Sequence, residues 1–277
     1  GDPVAQVRSP EVFNTLFREK GIDAVMVPLH VTPDHFEGAV EGLRRIGNLG
    51  GLVITVPHKF AAARLVSDAS HRVEIAGAAN AIRPNDTGWA GDLYDGEGFA
   101  IGVEANHGSI AGKRCAIVGA GGAGTAIALS LIDRGAAEIR IWDVDTQRAH
   151  ALQNRLAAFA TIPVIVAPPS QLDDIAINAS PAGMSPSDRL PFEPASLRRG
   201  ALVCEAIMKP PRTRLLVELG HPIQEGRHML DHQVGAIWRF FGLLDCVSGG
   251  MPPIGRLHIF GEQLDLRQKS IEAKLGD

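Results

Sequence analysis

Cysteine is scarce in this chain: Cys115, Cys204 and Cys246 are the three in 277 residues, and no Cys-x-x-Cys pair occurs. That excludes a disulfide framework, a zinc knuckle or a redox dithiol, and leaves buried, reduced thiols as the expectation. Aromatic residues are few, with one tyrosine and ten phenylalanines, so an aromatic-rich binding platform is not expected. Positive charge is not in excess, since 27 Lys and Arg face 31 Asp and Glu for a net charge of −4. Without a broad basic surface to neutralise phosphates, nucleic acid is excluded as a partner. No apolar run reaches the roughly 18 residues of a membrane span, and Gly1-Asp2-Pro3 resembles neither a signal peptide nor a transit sequence. The expectation is a cytoplasmic chain with no membrane partner.

Glycine is plentiful, with 31 residues, which points to tight turns and close backbone approaches. The length of 277 residues predicts about two domains, and 45% hydrophobic with 21% charged residues is the balance of a folded globular protein. Ser9 and Pro10 start a helix that carries Val12, Phe13, Leu16 and Phe17 on one face and stops at Gly21. A strand is predicted over Asp23 to Val31, a helix with Phe36, Val40, Leu43 and Ile46 after Thr32-Pro33, and a buried strand over Leu52 to Val56. Turn chemistry at Asn85-Asp86-Thr87-Gly88 predicts a hairpin.

From Gly112 the pattern becomes regular. Strands are predicted at Cys115 to Val118, Ile139 to Trp142, Pro163 to Ala167, Ile175 to Asn178 and Ala201 to Ala206, with an apolar helix over Thr125 to Ile132. This alternation predicts an α/β fold of two domains, one a Rossmann-type parallel doubly wound sheet and the other an α/β substrate domain. The helix expected over His228 to Phe241, and the tail after it, break the rhythm and are predicted to pack back on the first part. The first domain is then discontinuous, 1–103 plus 228–277, around a dinucleotide-binding unit of 104–227.

Gly119-Ala120-Gly121-Gly122-Ala123-Gly124 fits G-x-G-x-x-G between a predicted strand and helix. The first glycine serves a tight turn, the second lets backbone approach a pyrophosphate, and the third lets helix and strand pack closely. The helix N-terminus attracts the phosphates. The next strand ends at Asp143, about 20 residues on, where a carboxylate accepts hydrogen bonds from the adenosine ribose hydroxyls. A carboxylate there repels a 2′-phosphate, so NAD is favoured and NADP remains possible, with Arg148 the nearby residue that could reach a phosphate.

Lys59 closes Thr55-Val56-Pro57-His58-Lys59, just beyond a predicted strand. Asp95 lies in the glycine-flanked run Gly91-Asp92-Leu93-Tyr94-Asp95-Gly96-Glu97-Gly98-Phe99. These segments, with Gly1-Asp2-Pro3, Ser9-Pro10 and Asn14, Gly77-Ala78-Ala79-Asn80, and Asn178-Ala179-Ser180-Pro181-Ala182-Gly183-Met184, resemble in order the motifs of the shikimate dehydrogenase family. Gly226, Met229, Leu230 and Gln233 resemble its closing substrate-domain helix. The resemblance implies reversible hydride transfer between a nicotinamide cofactor and the secondary alcohol of shikimate, quinate or a related cyclic hydroxy acid. It implies a place in aromatic amino acid biosynthesis, and we expect a monomer or homodimer. Lys59 and Asp95 take the roles of the family's catalytic pair. Ser9, Thr55, Asn80 and Gln233 become substrate contacts, and Gly119, Gly121, Gly122, Ala123, Gly124, Asp143 and Gly226 the cofactor site.

Departures from the family pattern bear on the substrate. Val7 stands for a serine, Val53 and Leu93 for asparagines, and Met208 for a tyrosine, while Tyr94 replaces a threonine and offers one hydroxyl back. A lost donor in a polar pocket changes discrimination by orders of magnitude. The same chemistry on a less polar hydroxy acid, or a non-catalytic dinucleotide sensor, are therefore alternatives. Asp143-Val144-Asp145, where NADP-using members often carry Asn-Arg-Thr, again favours NAD. His228 and His232, four apart on a helix, lack a third ligand, and no metal is expected.

Overall fold

In the computed structural model, which describes residues 1–5, 7–217 and 220–243, the chain builds two sheets. The first part runs α1 (Ser9–Lys20), α2 (Phe36–Leu43), β1 (Leu52–Val53), α3 (Lys59–Leu65), β2 (Asp68–Ala69), α4 (His71–Ala76), β3 (Ala81–Asn85), β4 (Gly88–Asp92) and α5 (Asp95–His107). It forms a four-stranded sheet of order β1-β3-β4-β2. The hairpin predicted at Asn85-Asp86-Thr87-Gly88 is the antiparallel β3–β4 pair, closed by Asn85 Oδ1 accepting from Thr87 N at 3.1 Å.

The second part runs β5 (Arg114–Val118), α6 (Gly122–Asp133), β6 (Glu138–Trp142), α7 (Thr146–Ala157), β7 (Val164–Val166), β8 (Ile175–Asn178), β9 (Leu202–Glu205), α8 (Arg214–Val217) and β10 (Ile223–Gln224). Its six strands are all parallel, in the order β10-β9-β8-β5-β6-β7. Chain order runs outward one way through β5, β6 and β7 and the other way through β8, β9 and β10. The reversal lies between β5 and β8, and ligands of such sheets bind in the crevice beyond the strand ends there. Helix α6 is apolar all round because it is covered all round: Thr125 to Leu131 are buried between the sheet and α5.

Helix α9 (Arg227–Phe240) leaves this sheet and returns to the first part. Its Trp238 ring lies 6.2 Å from Phe13 and 5.5 Å from Phe17 of α1, in a buried cluster that includes Ala81 and Tyr94. It also runs along α5, where a Cβ on Gly98 would stand 2.2 Å from the Met229 carbonyl oxygen. The tail expected to follow α9 onto the first part, with Cys246, lies outside the described residues. Cys115 and Cys204 are free and buried.

The strand predicted over Asp23 to Val31 does not form. Its alternation of Val25, Val27, Leu29 and Val31 is genuine, but a strand also needs a neighbouring backbone. The Asn14 side chain supplies the bonds instead, Oδ1 accepting from Met26 N at 2.7 Å and Nδ2 donating to Met26 O at 2.9 Å. Val31 N donates to Gly1 O at 3.2 Å. An apolar cavity of about 410 Å³ separates this segment from residues 50–55. The strand expected from Leu52 to Val56 pairs only over Leu52–Val53, because Thr55 begins a turn whose carbonyl takes the His58 N–H.

Candidate active site

Lys59 is the first residue of α3 and Asp95 the first of α5, so two helix starts present the two side chains to one point. Lys59 Nζ donates to Asp95 Oδ2 at 2.7 Å, with the side chains 15% and 6% exposed. Glycines fix Asp95 there. A Cβ on Gly96 would stand 1.8 Å from the Ala126 carbonyl oxygen of α6, so α5 crosses α6 at a distance only glycine permits. His58, the residue before Lys59, faces elsewhere: its ring stacks on Phe36 at 4.3 Å and Nε2 reaches Val31 O at 2.7 Å.

Asn80 and Gln233 come together. Asn80 Nδ2 donates to Gln233 Oε1 at 3.0 Å, and Asn80 Oδ1 accepts from Tyr94 N at 2.8 Å. Asn80 thereby ties the residue before Asp95 to α9. Thr55 and Ser9 both border the apolar cavity, beside Val7 and Val53. That cavity is lined mostly by aliphatic and phenyl groups, with Ser9, Thr55 and Asn48 as its few polar side chains.

Two expectations about this site are corrected. Leu93 is 1% exposed within the main apolar cluster, so it is a packing residue and its replacement of an asparagine removes nothing from a substrate pocket. Tyr94 is buried, 7% exposed. Its ring packs edge-on to Phe240 at 5.9 Å, under the Arg72 guanidinium at 5.1 Å, and burial with the Asp92 carboxylate pushes its phenol pKa up.

The sequence gives no warning of Arg72. Its Nε and Nη2 donate to the two oxygens of Asp92 at 3.0 and 2.8 Å, and its Nη1 to Glu97 at 3.0 Å. Ser70 Oγ and Leu93 N complete the Asp92 shell at 2.6 and 2.7 Å. Burial raises the Asp92 carboxyl, but the hydrogen bonds from Arg72 and Ser70 prevail and hold it below its ordinary range. This charged clamp frames the loop that delivers Asp95.

On the parallel sheet, Gly119 follows β5 with φ +109° and Ala179 follows β8. A Cβ on Gly119 would stand 2.7 Å from the Ala179 carbonyl, and one on Gly124 1.8 Å from Gly119 O. Nothing lies within 4 Å of a Cβ on Gly121, the residue that opens α6, so the loop is bare where a pyrophosphate needs the backbone. Gly122 and Ala123 follow it into the first turn of α6. Asp143 Oδ2 accepts from Ala120 N at 2.7 Å and Oδ1 from Asp145 N at 2.9 Å, placing the carboxylate beside the loop. These residues fit a dinucleotide. Arg148, 70% exposed, pairs with Asp145 at 3.2 Å. Gly226 belongs to the cleft's framework: a Cβ there would lie 2.2 Å from Ile207 O.

Glu205, also without a sequence signal, is fully buried beneath the two loops that leave β8 and β9. It accepts from Asn178 Nδ2 at 2.9 Å, Ile207 N at 3.1 Å and Thr213 Oγ1 at 2.8 Å. Burial outweighs these donors and pushes its carboxyl up to about 7. Met208, beyond it, is partly exposed.

His228 and His232 stack at 6.3 Å, and among the described residues no group of three or more His, Cys, Asp or Glu is arranged to hold a metal. No helix among them is long and apolar enough to cross a membrane.

Residues 1–82 match the model of the shikimate dehydrogenase substrate binding domain. The chain is 35% identical over 224 residues, 78% of each sequence, to the shikimate dehydrogenase (NADP(+)) of Rubrobacter xylanophilus. Among solved structures it is similar to the 5-ketofructose reductase of a Gluconobacter strain, with 28% identity, TM-score 0.77, and 86% and 89% of the two chains covered. It is also similar to the quinate dehydrogenase of Corynebacterium glutamicum in complex with NAD, with 25% identity, TM-score 0.76, and 92% and 94% covered. With the Rubrobacter similarity over 78% of its length and a motif-bearing loop at the switch point, the chain belongs to the shikimate dehydrogenase family, oxidoreductases that act on a CH–OH group with a nicotinamide cofactor.

Proposed function

We propose that this dehydrogenase interconverts the secondary alcohol and ketone of shikimate, quinate or a related cyclic hydroxy acid, with Lys59 and Asp95 carrying the proton step. The observation that carries this reading is the part-buried 2.7 Å bond between Lys59 Nζ and Asp95 Oδ2. A nicotinamide dinucleotide held at Gly119 to Gly124 and Asp143 would supply the hydride chemistry, and the residues of the chain handle the proton. As the alcohol is oxidised, its hydroxyl proton passes to Nζ; in reduction the ammonium polarises the ketone and supplies the proton. Asp95 holds Nζ in place and keeps Oδ1 to accept from a substrate hydroxyl. Asn80 and Gln233 hold further hydroxyls, with Ser9 and Thr55 at the rim. Residues 1–103 with 228–277 form the substrate side in this reading, and 104–227 the dinucleotide side.

Cofactor preference is part of the same proposal. Asp143 beside the glycine loop favours a ribose diol, and Arg148 is already engaged by Asp145, so NAD is preferred over NADP. Support comes from the similarity to a quinate dehydrogenase with NAD, whereas the Rubrobacter relative is named for NADP(+). The two described cysteines, both free, suit a reducing, cytoplasmic setting.

A second reading, the same chemistry on a less polar substrate, is favoured by Val7 and Val53 at the cavity beside Ser9 and Thr55, and by Met208. The test is initial-rate oxidation of shikimate and quinate with NAD and with NADP. Turnover of either acid, faster with NAD, supports the first reading; dinucleotide binding without turnover of either acid supports the second.

A further inference from the structure

Phe60 is 45% exposed, although Ala62, two residues on in the same helix, is fully buried. A phenyl ring left half in water forfeits favourable burial unless something covers it in the working state. Its position narrows what that is. Phe60 belongs to α3 on the substrate side, yet its ring reaches across to the glycine loop: a Cβ placed on Gly122 would lie 3.8 Å from its Cζ and 3.9 Å from its Cε2. Gly122 is the first residue of α6, where the backbone N–H groups of the opening turn have no partner within the helix.

Taking the glycine loop as the dinucleotide site, as the preceding reading has it, we propose that Phe60 is the wall of the pyrophosphate pocket contributed from the opposite side of the cleft. The loop presents N–H donors from one side, and the ring closes the other and excludes water. Lower local polarity strengthens each N–H to phosphate hydrogen bond. Because Phe60 directly follows Lys59, cofactor contact with this ring also seats the first turn of α3, and with it the lysine, against the loop. Phe60 is thus a cofactor-contacting residue that positions Lys59 through its own backbone.

The test separates the pyrophosphate from the rest of the cofactor. Binding of NAD and ADP-ribose by calorimetry, and of adenosine by ligand-observed NMR, is compared for the wild type, Phe60→Ala and Phe60→Leu. The expected result is a rise in Kd of about tenfold for NAD and ADP-ribose in Phe60→Ala, no change beyond twofold for adenosine, and recovery of most of the loss in Phe60→Leu. Unchanged NAD and ADP-ribose affinity in Phe60→Ala overturns the proposal. So does an equal loss for all three ligands, which places the defect in the fold as a whole. Failure of the wild type to bind NAD or ADP-ribose overturns the cofactor-site reading itself, and the Phe60 wall with it.

Discussion

Gly96 and Ala126 hold Asp95 in place: a Cβ on Gly96, the next residue, would stand 1.8 Å from the Ala126 carbonyl oxygen. The obstacle is helix backbone, which cannot swing aside. Gly96→Ala therefore forces α5 away from α6 and is expected to destabilise the protein by about 1–3 kcal/mol and lower turnover through displaced Asp95. Urea unfolding and initial rates check both, and a variant of wild-type stability and rate contradicts the crossing.

Leu93 tests which departures from the family pattern reach the substrate. It sits in the core at 1% exposure, so Leu93→Asn, which restores the family residue, buries an unpartnered amide. The expected outcome is about 1–3 kcal/mol of lost stability with no gain in kcat/KM for shikimate. A gain in shikimate turnover at unchanged stability would return Leu93 to the pocket.

Much of this was open to sequence reasoning because it depends on local rules. The glycine loop is legible since Gly119 and Gly124 each answer a backbone requirement that no other residue meets while Gly121 leaves the loop bare, and the parallel strands since they are short, continuous apolar runs. The segment 23–31 defeats the same reasoning: its alternation predicts an inward face, yet Val27 and Leu29 are 44% and 40% exposed, and pairing depends on a neighbour the local pattern does not contain. Arg72 and Glu205 are invisible for a related reason. Arg72 matters through Asp92, 20 residues away, and Glu205 through Asn178, 27 residues away, and neither spacing belongs to a helix or strand.

Glu205 gives stability a definite pH dependence. Its folded carboxyl is pushed up to about 7, above the ordinary 4.5, so between these values the folded chain holds a proton that the unfolded chain releases. Stability from this group is full below about pH 4.5, declines as pH rises, and levels off above about 7, a total of about 3 kcal/mol. Urea unfolding at pH 5 and pH 8 should show a smaller difference in Glu205→Gln than in the wild type. Identical pH dependence in the two proteins contradicts the assignment.

In the proposed function, Asp143 sets the choice between the cofactors. Asp143→Ser removes the charge that opposes a 2′-phosphate, and the ratio of kcat/KM for NADP to that for NAD is expected to rise at least about tenfold. A ratio unchanged within twofold would mean that selection lies elsewhere.

The most direct test of the central claim concerns Lys59, whose Nζ is placed to move the proton. For Lys59→Ala, steady-state turnover is measured on whichever hydroxy acid the wild type oxidises, together with NAD affinity by calorimetry. The account predicts a fall in kcat of about 10²–10⁴-fold with NAD affinity held within a few-fold, since the lysine is assigned to the substrate proton and the glycine loop to the dinucleotide. Wild-type turnover in Lys59→Ala would contradict the proton-transfer role.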